Sequence, residues 1–176
     1  MNISSEIKGI IKDVPDFPKK GIIFKDITPI LLDAKLMRRV INALARHFSN
    51  DKIDVVLGIE SRGFAIAAPV ALNLGVGLAL VRKVGKLPRE KISQTYKLEY
   101  GENILEIHKD AVQKNQKVLI IDDLLATGGT ALAAAELVRK LGARTVGFAF
   151  IVDLHFLGGL EKLKQKKYKV LTLASL

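Results

Sequence analysis

Along this chain apolar residues recur in two ways, at three- and four-residue spacing and in short unbroken runs. Ile3, Ile7, Ile10 and Ile11 fall on one helical face, so residues 3–13 predict a short amphipathic helix that stops before Val14 and Pro15. Leu36, Val40, Leu44 and Phe48 repeat that spacing behind Asp33, a good N-cap residue, and predict a second helix. Largely apolar stretches at 54–59, 77–81, 118–121 and 145–152 suit strands covered on both faces. An apolar helix including 65–74, with Pro69 placed to bend it, follows the first run. A helix over 132–141, with Gly142 as its stop signal, follows the third, and the chain closes on a short helix and a final strand.

Strands alternating with helices predict an α/β fold with a mainly parallel twisted sheet flanked by helices, in one domain spanning 1–176. Ligands of such sheets bind beyond the C-terminal strand ends. Three segments break the pattern. Residues 16–33 crowd two prolines, a glycine and aromatic residues together and predict a loop packed over the rest; within it Lys25, Asp26 and Thr28 form either a capped turn or a binding loop. Residues 82–91 surround Gly85 and Pro88 with Arg82, Lys83, Lys86, Arg89 and Lys91, the composition of a mobile cationic loop. Residues 98–108 predict two short strands around Gly101 and Glu102, a flap at the sheet edge.

Composition narrows the setting. The chain has 176 residues, 49% of them hydrophobic, and no cysteine, so it needs no disulfide framework and fits a reducing compartment. Its start lacks a signal-peptide core and no apolar run approaches a membrane span, which leads us to expect a soluble cytoplasmic protein. The net charge of +10, from 28 basic and 18 acidic residues, points to polyanions: nucleic acid, an acidic membrane surface or a highly phosphorylated small molecule. Lys162, Lys164, Lys166, Lys167 and Lys169 supply part of that excess and read most simply as a solvated helix end. No nucleic-acid-binding pattern accompanies them.

The chemistry concentrates at residues 117–130, KVLIIDDLLATGGT. An aliphatic strand runs into Asp122 and Asp123, and residues 126–130 then offer successive backbone N–H groups, two hydroxyls and the positive end of a helix dipole, a combination that binds phosphate. Two carboxylates at the strand end can accept hydrogen bonds from a pair of sugar hydroxyls. A ribose 5-phosphate fits both, although an ordinary capped strand-to-helix turn has similar composition. Neither a Walker motif nor a dinucleotide fingerprint is present.

VLIIDDLLATGGT resembles the phosphoribosyl diphosphate signature of type I phosphoribosyltransferases, and DFPKKGIIFKDITP, GIESRGF, RKVGKLPRE and YKLEYG resemble segments of the adenine phosphoribosyltransferases. That resemblance covers residues 16–130 and implies an N-terminal hood over residues 1–35 and a flexible loop and flap over 82–108. By the same resemblance, Asp122 and Asp123 hold the ribose and Ala126, Thr127, Gly128, Gly129 and Thr130 its 5-phosphate. Ser61, Arg62, Lys83 and Lys86 meet the diphosphate, with a non-proline cis peptide at Glu60–Ser61. Ile23, Lys25 and Leu124 border the adenine, Glu99 handles a purine proton, and Tyr100 closes the site. Arg62 read by itself is a surface ion-pair residue, and Glu99 a flap residue paired with a lysine. Leu160 stands where the family usually has an arginine.

The implied reaction turns adenine and phosphoribosyl diphosphate into AMP and diphosphate. Magnesium enters on the substrate diphosphate, without a direct protein ligand, and the expected assembly is a homodimer with neither a nucleic-acid nor a membrane partner. Two rival readings are a nucleic-acid-binding regulator on the same fold and a phosphoribosyltransferase for 6-oxopurines or xanthine.

Overall fold

The protein is described by a computed structural model over residues 2–97 and 102–176. Helix α1 (Ile3–Ile10) starts where the Asn2 side chain accepts a hydrogen bond from Ser4 N at 3.2 Å, and it buries Ile7. The helix ends earlier than its periodicity predicts because the chain turns extended at Ile11 to enter strand β1 (Lys12–Pro15). Strand β1 pairs antiparallel with β2 (Ile23–Asp26). Sequence pattern predicts a helix to residue 13 and a loop from 16 in place of these strands, since four-residue strands, one exposed and the other largely half-buried, leave no alternation to read. Asp26 makes a side-chain-bonded turn ahead of α2 (Thr28–Leu32), its carboxylate accepting from Thr28 N and Thr28 Oγ1, both at 2.9 Å.

The main sheet contains β3 (Val55–Ile59), β4 (Gly77–Lys83), β5 (Lys91–Lys97), β6 (Glu102–His108), β7 (Lys117–Leu125), β8 (Arg144–Asp153) and β9 (Lys169–Ser175), in the order β5-β6-β4-β3-β7-β8-β9. Strands β4, β3, β7, β8 and β9 run parallel, while β6 and β5 turn the edge antiparallel. Period-two alternation sends side chains to two cores. Val56, Leu119, Ile121 and Ile151 face α1, α2, α3 (Ala34–Phe48) and α4 (Arg62–Leu74), where Ile7, Ile30, Leu44 and Ile66 are fully buried. Leu57, Ile120, Phe148 and Phe150 face α5 (Gly129–Lys140) and α6 (Gly159–Gln165), through Leu137 and Leu163. Each fully buried large aliphatic contributes about 1.5–3 kcal/mol, so both faces hold the sheet in register.

Three boundaries differ from expectation in ways that shape the site. Strand β7 does not stop at Ile121; it continues through the acids to Leu125, with Asp122 opposite Phe150 and Leu124 opposite Val152. Helix α5 begins at Gly129, inside the predicted anion loop. Strand β4 extends to Lys83, so that residue stands on the sheet instead of on a free loop. Among the described residues, no helix is long and apolar enough to cross a membrane.

Candidate active site

A cavity of about 450 Å³ opens at the C-terminal ends of β3, β4 and β7, and β2 roofs it with Ile23, Phe24 and Lys25. Below lie Asp122, Asp123 and Leu124 of β7; at one side stand Glu60, Ser61, Arg62 and Lys83; Ala126 and Thr130 close the other. A second hollow of about 100 Å³ reaches behind the last two, along Thr127, Gly128 and Ala131.

The acids differ in their surroundings although they are adjacent. Asp123 is buried and takes a charged hydrogen bond from Arg62 Nε. Arg62 is also placed by Phe24, whose ring centroid lies 5.3 Å from the guanidinium carbon, a cation–π distance. A carboxylate has about four acceptor positions, so Asp123 can hold Arg62 and still receive a hydroxyl. Asp122 accepts a bond from Asp123 N at 2.9 Å and packs against helix α4, where a Cβ on Gly63 would come within 2.9 Å of Asp122 Oδ1. Burial, followed by the neighbouring Asp123 charge, pushes the Asp122 carboxyl well above its ordinary range, with Arg62 opposing that shift.

The anion loop is made of backbone. Gly128 has φ +76°, a left-handed conformation that favours glycine, and the start of α5 carries no side-chain cap. Its first N–H groups therefore face the hollow at the positive end of the helix dipole. The loop is braced from behind by the first turn of α6: a Cβ on Gly159 would fall 2.1 Å from the Ala126 carbonyl oxygen and 2.9 Å from Gly128 N. Only a residue without a side chain fits there.

Opposite, the corner is made of charge. The peptide between Glu60 and Ser61 is cis, and Ser61 stands at the N-cap of α4. Glu60 Oε1 accepts from Lys86 Nζ at 2.6 Å, and Oε2 accepts from Lys83 N at 3.0 Å and Arg82 Nε at 3.2 Å. Burial pushes the Glu60 carboxyl up, but the bonds from Lys86 and Lys83 and the charges of Lys86 and Arg82 outweigh it, leaving it below the ordinary carboxylate value.

The chain matches the phosphoribosyl transferase domain over residues 28–174. It is 56% identical to the adenine phosphoribosyltransferase of Geobacter metallireducens over 162 residues, which cover 92% of this chain and 95% of that protein. The chain belongs to the adenine phosphoribosyltransferase family. Among solved structures, the adenine phosphoribosyltransferase of Thermoanaerobacter pseudethanolicus superposes with a TM-score of 0.93 at 50% identity, covering 98% of this chain and 99% of that one. The Saccharomyces cerevisiae adenine phosphoribosyltransferase, solved in complex with adenine and an imino-altritol bisphosphate, gives 0.88 at 42% identity, with 97% and 98% covered.

Against the residues singled out by the adenine phosphoribosyltransferase resemblance, the structure brings Ile23, Lys25, Ser61, Arg62, Lys83, Asp122, Asp123, Leu124, Ala126 and Thr130 to one cavity. Thr127 and Gly128 line the hollow beside it, and Gly129 begins α5. The Lys25 ammonium is drawn away to Asp13, at 2.7 and 2.8 Å, so its stem rather than its charge borders the cavity. Lys86 reaches the site only through Glu60. Glu99 and Tyr100 lie outside the described residues. Leu160, where the family usually carries arginine, packs against the hydrophobic core.

Sequence reasoning missed the roles of Phe24, Glu60 and Gly159. The Gly158–Gly159 pair after β8 was a visible signal, because consecutive glycines mark close backbone approach. Phe24 and Glu60 carried no such mark. The basic tail is partly neutralised, with Lys164 on Glu161 at 3.3 Å and Lys169 on Asp51 at 2.6 Å.

Proposed function

We propose that this chain transfers the 5-phosphoribosyl group from phosphoribosyl diphosphate to adenine, releasing AMP and diphosphate, and so serves purine salvage. One observation carries the reading: a backbone anion loop, a pair of acids and a cationic corner converge on a single cavity beneath an apolar roof. In this reading the 5-phosphate sits on residues 126–130 and the ribose hydroxyls on Asp122 and Asp123. The diphosphate faces Ser61, Arg62 and Lys83. Adenine lies between Leu124 and Ile23. Pro15, the register partner of Ile23, has no N–H to donate across the ribbon, which favours a free main-chain acceptor for the purine amino group.

As the anomeric carbon parts from diphosphate, the sugar becomes oxocarbenium-like, as in glycosyl transfer generally. Asp122 and Asp123 then oppose a growing positive charge while Arg62 and Lys83 oppose the negative charge of the leaving group. Glu99 takes the purine proton and Tyr100 shields the site. A backbone donor–acceptor edge accepts a 6-aminopurine and leaves unpaired groups against a 6-oxopurine.

Among the described residues no three His, Cys, Asp or Glu side chains cluster as a metal site, and Glu60 and Asp123 are already held by cations. This donor set fits magnesium held by diphosphate oxygens and water. Bound there, magnesium would neutralise leaving-group charge. The chain works as a cytoplasmic homodimer in this reading, and pairing would cover Leu72, Leu78 and Leu80, apolar side chains exposed on α4 and β4.

The test is diphosphate release from phosphoribosyl diphosphate and magnesium with each nucleobase in turn. Release with adenine alone is the expected result. Release with hypoxanthine or xanthine makes the enzyme a 6-oxopurine transferase, and silence with every base, joined to salt-sensitive RNA retention, makes it a regulator.

A further inference from the structure

A carboxylate beside a site for a highly charged anion repels the ligand, so Glu60 requires a reason. Its side chain is only 5% exposed and is fixed at the end of β3, while the Lys86 side chain is half exposed on the segment beyond β4. The two meet at 2.6 Å. The same carboxylate gathers Arg82 and the Lys83 N–H, and Arg82 Nη1 returns to the Lys86 carbonyl at 3.1 Å. The segment is thus wrapped around one buried acid that also lines the cavity.

We propose that Glu60 is the resident counter-anion of the diphosphate corner, a positioning residue that holds Lys86 at the cavity wall and competes with diphosphate for it. The proposal rests on the phosphoribosyl-transfer reading. An incoming diphosphate exchanges one charge-assisted bond of Lys86 for another, so its net attraction is reduced and its departure is eased. A purely structural Glu60 has the opposite consequence: removing it disorders the corner and weakens anion binding.

The two alternatives therefore differ in sign. Calorimetric titration with inorganic diphosphate and magnesium is expected to show Glu60→Gln binding about three- to tenfold tighter than wild type. Lys86→Gln should bind more weakly, and adding Glu60→Gln to it should tighten binding clearly less than Glu60→Gln does in the wild-type background, since only the direct repulsion is then relieved. If the glutamine variant does not fold, Glu60→Asp keeps the charge but shortens the reach to Lys86, and a tightening of about twofold is expected. Equal or weaker binding by the folded variant overturns the proposal while leaving adenine turnover by the wild type intact. Failure of the wild type itself to bind diphosphate overturns the proposal together with the functional reading beneath it.

Discussion

The two anion-binding corners of the cavity solve one problem with different materials. At residues 126–130 negative charge meets backbone N–H groups and a helix start, held in place by close contact with Gly159. At Glu60 and Lys83 it meets ammonium and guanidinium groups, with the charges of Lys86 and Arg82 already partly cancelled by Glu60. The first corner has shape and no formal charge; the second has charge carried on side chains that exchange one ion-pair partner for another. A reaction that keeps the 5-phosphate on the sugar throughout but must release diphosphate has reason for both. Backbone geometry retains a group well, and exchangeable ion pairs let one go.

The sharpest way to break the comparison is from behind the backbone corner. Gly159→Val drives a side chain into the Ala126 carbonyl, and turnover at fixed subsaturating phosphoribosyl diphosphate should fall about 100-fold or more, because the loop itself moves. Steady-state kinetics alongside thermal unfolding measure it; kinetics near wild type would mean that the loop is not braced there.

A smaller effect belongs to the charged corner. Lys83→Gln should raise the Michaelis constant for phosphoribosyl diphosphate about five- to tenfold and flatten its dependence on ionic strength, since one screened interaction is gone. An unchanged salt slope would place Lys83 outside the anion site.

Smallest is the acid pair's effect on stability. The native Asp122 carboxyl is raised above its unfolded value, so the fold binds its proton more tightly than the unfolded chain does. That contribution is complete below about pH 4, the unfolded value, and is lost as pH rises toward the native one. Asparagine does not titrate. Urea unfolding should therefore find Asp122→Asn more stable than wild type at neutral pH, with the gap closing toward about pH 3.5, even as activity drops. A gap independent of pH would remove charge as its cause.

The same contrast explains what could be read from sequence. Strands β3 and β8 and helix α3 were legible because burial imposes an unbroken run or a helical stripe, as at 55–59 and at Leu36, Val40, Leu44 and Phe48. The anion loop was legible because backbone sites need glycine and small residues. Less could be read where the determinant is a partner distant in sequence. Strands β1 and β2 are defined by each other and not by a core, Asp13 diverts Lys25, and Phe24 steadies Arg62. Glu60 looks like any turn residue until Lys86 is found beside it. The end of β7 was misplaced because two acids resemble a strand stop, whereas register with β8 carries the strand past them.

That last feature has a consequence for how such a protein changes. Asp122 and Asp123 are not loop residues that insertion could shift; Asp122 is locked in register opposite Phe150, between neighbours that are buried on both sides. The pair is a fixed gauge cut into the frame, and variation is left to the parts around it, the β1–β2 ribbon and Leu154, which lines the cavity just past the end of β8. Redesign toward another base should begin at those two borders and leave the gauge untouched.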